Sequence, residues 1–138
     1  MDPTAHHFAV TVNDLDRAVA FYRDVLQLDV LTRFSVGGDA FATGVGIDGA
    51  SAEFAHMDAG DARVELVEYT PAGEDADENR LNQPGATHLG LEVDDLDAVY
   101  ESLPDDVETV AEPQTTESGT RILFLRDPDG SLVELLET

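Results

Sequence analysis

The strongest constraint on this chain is that it contains itself twice. His7 to Asp16, HFAVTVNDLD, returns as His88 to Asp97, HLGLEVDDLD, with five of ten positions identical. Val64 to Tyr69, VELVEY, returns as Val133 to Thr138, VELLET, with four of six identical. The two landmarks lie 12 residues further apart in the first copy. A unit written twice must fold twice, so any local reading has to hold at both places.

In the first copy Phe8, Val10 and Val12 alternate with His7, Ala9 and Thr11, the period of a strand buried on one face. Asn13 and Asp14 are natural helix caps. Beyond them Leu15, Ala18, Val19, Tyr22 and Leu26 form one apolar stripe at helical spacing. The helix must cover the face of Phe8, Val10 and Val12, which turns His7 away from it. The second copy repeats this logic. Leu89, Leu91 and Val93 alternate with His88, Gly90 and Glu92, and Leu96, Val99, Tyr100 and Leu103 continue as an amphipathic helix that stops at Pro104.

The expected order follows along the chain. Ala5 to Val12 is a strand, Asp14 to Gln27 a helix, and Asp29 to Val36 a strand. Gly37-Gly38-Asp39 has hairpin-turn chemistry, Ala40 to Ile47 alternates as a possible strand, and Glu53 to Met57 and Ala62 to Tyr69 are strands. In the second copy the strands are Thr87 to Val93, Val107 to Ala111, Thr120 to Arg126 and Ser131 to Glu137, with a helix over Asp95 to Leu103 and a loop over Glu112 to Gly119. The fold class is α+β: two tandem βαβββ modules whose sheets curve around a shared metal-containing cavity. Residues 1–70 form the first module, 71–86 an acidic linker and 87–138 the second, within one compact domain. The first copy makes an extra excursion around Thr43 to Ser51.

Charge sets the environment. Thirty acidic residues face seven basic ones, all arginine, for a net charge of −23 over 138 residues. Such a surface has little to offer nucleic acid or an anionic membrane, which both call for basic patches. The acids are dispersed rather than clustered, which suits a halophile's cytoplasm, where molar salt shrinks the Debye length to roughly 3 Å. No apolar run is long enough to span a bilayer and no secretory signal is visible. The absence of cysteine excludes disulfides and thiolate metal sites. The expected protein is soluble and cytoplasmic, with a small-molecule substrate and a homodimer as its assembly.

Four chemistry-bearing residues occupy equivalent places in the two copies: His7 with His88, and Glu65 with Glu134. Each histidine opens a first strand on the side away from the helix. Each glutamate interrupts an apolar strand, where an unpaired carboxylate is costly. Two nitrogen and two oxygen donors with room for water suit one divalent cation from the set Ni, Co, Zn, Mn and Fe. Water that a substrate can displace marks a catalytic rather than a structural site. Whether the four meet within one chain or across a dimer is open at this point. Glu68 and Glu137 also repeat but fall on the other face, as solvated or capping charges. Glu92 shares a face with His88 as a rim position, His6 reads as a solvated neighbour, and the face of His56 is undetermined because both sides of its strand are partly apolar. The turn Asp127-Pro128-Asp129-Gly130 needs no calcium to explain it.

The pattern H-x5-[ND]-D-L-D, the FY-x2-V-L that follows it in the first copy, the repeat, and the V-E-L endings resemble the vicinal oxygen chelate superfamily, from His7 to Glu137. This group includes glyoxalase I, methylmalonyl-CoA epimerase, extradiol dioxygenases and bleomycin-resistance proteins. The resemblance implies metal ligands at His7, Glu65, His88 and Glu134, the set that the repeat already isolates. It implies for Glu134 the double role of ligand and base. Thr11 stands where bacterial glyoxalase I carries an arginine for glutathione, which argues against a glutathione hemithioacetal. Extradiol enzymes resemble users of a two-histidine, one-carboxylate iron site, which leaves Glu65 without a task.

The expected activity is therefore that of a metal-dependent lyase or isomerase, glyoxalase I-like or epimerase-like. It would abstract a proton beside a carbonyl through Glu134, with Glu65 as its counterpart, and stabilise an enediolate on a small vicinal-oxygen substrate. The alternatives are a ring-cleaving dioxygenase of extradiol type and a non-catalytic, resistance-type binding protein. The residues that bind substrate, beyond these ligands, are not marked in the sequence.

Overall fold

A computed structural model describes residues 1–75 and 80–138 of the chain. It divides into two compact units, Met1–Asp75 and Ala76–Thr138. Of the linker expected over 71–86, residues 76–79 lie outside the described residues, and the remainder carries neither strand nor helix.

In the first unit the order is β1 (His7–Thr11), α1 (Leu15–Ala20), β2 (Val30–Val36), α2 (Asp39–Val45), β3 (Ser51–Asp58) and β4 (Arg63–Thr70). Its sheet runs β1-β4-β3-β2, with β1 parallel to β4 and the other pairs antiparallel. Asp14 caps α1 by accepting from the Arg17 N–H at 3.1 Å. The helix then widens into a π-turn over Phe21–Val25, closed by the Leu26 N–H on the Phe21 carbonyl. Phe21 and Tyr22, which open that turn, are both buried in the core. Helix α1 lies against β3 and β4, and Val10, Leu15, Val19, Tyr22, Met57, Val64 and Leu66 are buried in this unit.

The second unit has β5 (Leu89–Glu92), α3 (Leu96–Ser102), β6 (Gln114–Thr115), β7 (Arg121–Arg126) and β8 (Leu132–Glu137). Its sheet order, β5-β8-β7-β6, is the first sheet's order over again. Asp95 caps α3 through the Ala98 N–H at 3.0 Å, as Asp14 caps α1. Glu137 adds a second carboxylate there, accepting from the Leu96 N–H at 2.8 Å, the capping role expected of it. Helix α3 lies against β7 and β8, and Leu89, Leu96, Leu123, Leu125, Val133 and Leu135 are buried. Each unit is thus a βαβββ module, and the fold is α+β with two four-stranded mixed sheets.

Several local expectations are corrected. Ala40 to Ile47 is not a strand: Asp39–Val45 is helical, begins after Gly38 and ends at Gly46, whose φ of 73° closes the last turn. Phe41 holds this helix to the sheet, packing against the rings of Phe54 and Tyr69. Tertiary contact decides here against the alternating pattern. Val107 to Ala111 makes one isolated bridge, Thr109 to Leu125, instead of a strand, and the short β6 lies inside the stretch read as loop.

Candidate functional site

The register of the sheets carries the duplication down to single residues. Ala9 pairs with Glu65 across β1 and β4, and its counterpart Gly90 pairs with Glu134 across β5 and β8. Both glutamates therefore project from the sheet face opposite the helix, beside the strand that a histidine introduces. His7 is the first residue of β1, and His88 immediately precedes β5.

Each unit brings its own histidine and glutamate together. His7 Nε2 lies 3.7 Å from Glu65 Oε1. His88 Nε2 lies 3.1 Å from Glu134 Oε2, a hydrogen bond. The two imidazoles are equally open, each side chain 36% exposed, whereas the glutamates are more covered, at 13% for Glu65 and 21% for Glu134. Imidazole nitrogen beside carboxylate oxygen, partly open to water, is the donor chemistry that Mn, Fe, Co, Ni and Zn accept, so these residues fit such a cation. Among the described residues no group of three or more such side chains is already arranged around a cation position.

The first unit adds two histidines that the sequence reading left outside the ligand set. His56 lies directly across the ladder from Glu65 and is buried. Its Nε2 sits 2.7 Å from Glu65 Oε2, and its Nδ1 lies 3.2 Å from Arg63 Nη1. The Phe34 ring meets the His56 ring edge to face at 5.2 Å. His6, read as a solvated neighbour, is exposed but bonded: its Nδ1 is 2.7 Å from the Nδ1 of His7, leaving His7 Nε2 on the glutamate side. In the second unit Phe124 stands across from Glu134 and packs its ring on His88 at 5.1 Å.

The remaining candidates fall outside these clusters. Glu92 accepts a hydrogen bond from the Thr138 hydroxyl. Asp127, a buried carboxylate, accepts from the backbone N–H groups of Asp129 and Ser131, which is the turn chemistry expected of it. On the exposed end of the first helix, a hydrogen bond from Arg23 holds the Asp24 carboxyl below the ordinary carboxylate range. No helix among the described residues is long and apolar enough to cross a membrane.

The chain is similar to known proteins in sequence and in fold. The family model of the Glyoxalase/Bleomycin resistance protein/Dioxygenase superfamily matches residues 4–135. A 2-epi-5-epi-valiolone epimerase of Actinomyces is 30% identical over 95% of this chain and 77% of its own length. A probable lactoylglutathione lyase of Synechocystis is 28% identical over 96% of this chain and 93% of its own. The crystal structure of a glyoxalase family protein from Bacillus cereus superposes with a TM-score of 0.83 at 26% identity, covering 96% of this chain and 91% of that one. With the family model spanning nearly its whole length and both sheets in the same duplicated order, the chain belongs to the glyoxalase, bleomycin resistance protein and dioxygenase superfamily.

Proposed function

We propose that this protein is a divalent-metal-dependent lyase or isomerase that moves a proton on a small substrate bearing two adjacent oxygens. The observation that carries the reading is the repeated pair: an imidazole and a carboxylate at the same register in both sheets. Relatives named as an epimerase and as a lyase support the reaction class.

His7, Glu65, His88 and Glu134 are the proposed ligands, supplied by one chain or by two copies in a homodimer. When bound, the cation supplies Lewis acidity that polarises the two substrate oxygens and neutralises charge developing beside them. The protein's own part is the proton. Glu134 removes it from the carbon next to the carbonyl and returns it to the same or the neighbouring carbon. Among the described residues this carboxylate is held by His88 alone, and its place beside Gly90 is uncrowded, since an added methyl there would meet Glu134 Oε2 at 3.9 Å. Glu65 is its counterpart on the other side of the duplication. We also place the protein in a salt-rich cytoplasm, from its dispersed acidity.

The test is proton exchange. Protein loaded in turn with nickel, cobalt, zinc or manganese is incubated in deuterated water with small hydroxy-carbonyl compounds and acyl thioesters, and α-deuteration is followed by NMR. Exchange that depends on the metal supports the proposal. Oxygen uptake with catechols by the ferrous protein would replace it with ring cleavage, and tight binding without exchange would replace it with sequestration.

A further inference from the structure

The two carboxylates proposed as ligands are equivalent by descent from one repeat, yet they are held differently. Across the ladder from Glu65 stands His56, and across from Glu134 stands Phe124. A guanidinium has donors and no acceptor, so Arg63 must donate to His56 Nδ1. With Nδ1 accepting, the ring proton sits on Nε2, and Nε2–H donates to Glu65 Oε2 at 2.7 Å. Arg63 thereby decides the tautomer, and burial beneath Phe34 fixes the plane of the ring. The opposite oxygen, Oε1, remains on the side of His7. Phe124 offers Glu134 no hydrogen bond at all.

We propose that His56, oriented by Arg63, is a positioning residue that pins Glu65 through Oε2, so that this carboxylate presents Oε1 alone to a cation and stays in place. Glu134, which among the described residues has no such anchor across the ladder, is the carboxylate able to turn away from a cation and take a proton. The duplicated pair thus divides into a fixed ligand and a movable one. This proposal rests on the metal reading of the site. Partners that orient a metal ligand typically contribute about 10- to 100-fold to metal affinity or activity, and the Arg63–His56 relay has the form of such a partner.

Cobalt(II) titration followed by visible absorption tests it without any substrate. His56→Phe, which installs the residue found opposite Glu134, is expected to bind cobalt about 10- to 100-fold more weakly and to shift the absorption bands. His56→Gln keeps an N–H donor within reach of Oε2 and is expected to recover most of the loss, which a packing role for the ring would not allow. Circular dichroism and the melting temperature report folding, and His56→Ala makes the same cut without added bulk if His56→Phe fails to fold. A folded His56→Phe or His56→Ala that binds cobalt with native affinity and a native spectrum overturns the positioning role while leaving the metal reading intact. Native protein that takes up no cobalt overturns both.

Discussion

His56 and Phe124 stand at the same place in the two sheets, each directly across the ladder from a glutamate, and only the histidine can donate a hydrogen bond to it. Duplication has preserved the register while the chemistry at one position has parted. A symmetric frame with asymmetric neighbours is what a reaction needs when one carboxylate must stay and the other must move.

The nitrogen donors come first. His7→Ala and His88→Ala each remove one imidazole while leaving the sheets' ladders untouched. Metal content after dialysis is expected to fall about tenfold or more in each variant. Elemental analysis reads this directly, and full metal content in both variants would remove these histidines from the site.

The base is tested at Glu134. Glutamine keeps an oxygen donor and nearly the same volume, and loses only the capacity to accept the proton. With metal bound, Glu134→Gln is expected to slow α-proton exchange by at least about 100-fold, within the range of positioned acid–base groups. Exchange at the native rate would move the base to Glu65.

The fold offers its own matched pair. Asp14 and Asp95 cap equivalent helices through equivalent hydrogen bonds. Asp14→Ala and Asp95→Ala should each lower stability by about 1 kcal/mol, the usual cost of an unreplaced N-cap. Urea unfolding would measure it, and no loss in either variant would show that the caps are dispensable.

Salt is the fourth lever. Among the described residues Asp127 is the one buried carboxylate, so the acidic surplus lies toward water and repels itself. The melting temperature is expected to rise steeply from dilute buffer to molar KCl as the Debye length falls to roughly 3 Å. A flat profile would detach the acidity from salt adaptation.

Much of this architecture was legible because the sequence repeats. The strand with His7, the capped helix and the strand with Glu65 each recur, so two weak local signals corroborate one another. Unrepeated segments gave no such help. The stretch from Asp39 to Val45 alternates like a strand and has poor helix formers in Thr43, Gly44 and Val45, yet Phe41 docking on Phe54 and Tyr69 makes it a helix. His56 was ambiguous because β3 buries residues on both faces, Phe54 and His56 on one and Ala55 and Met57 on the other. Its partner could still be counted. Working outward from the turn after Asp58 pairs Asp58 with Arg63 and His56 with Glu65, so the hairpin itself held the signal. The hydrogen bond from Arg63, by contrast, depends on how a long side chain folds back, which no spacing rule supplies.

The self-containment of each ladder bears on how the chain is made. Every strand of the first sheet lies before Pro71, including β1 and β4, whose parallel pairing joins its two ends. A ribosome that has released these residues has released all the hydrogen-bonding partners that this sheet needs. The first module can therefore close while the second is still being translated, as domains commonly do from the N-terminal side. Once the first sheet has closed, β4, the strand with which the second copy's opening strand could mispair, is covered on both edges by β1 and β3.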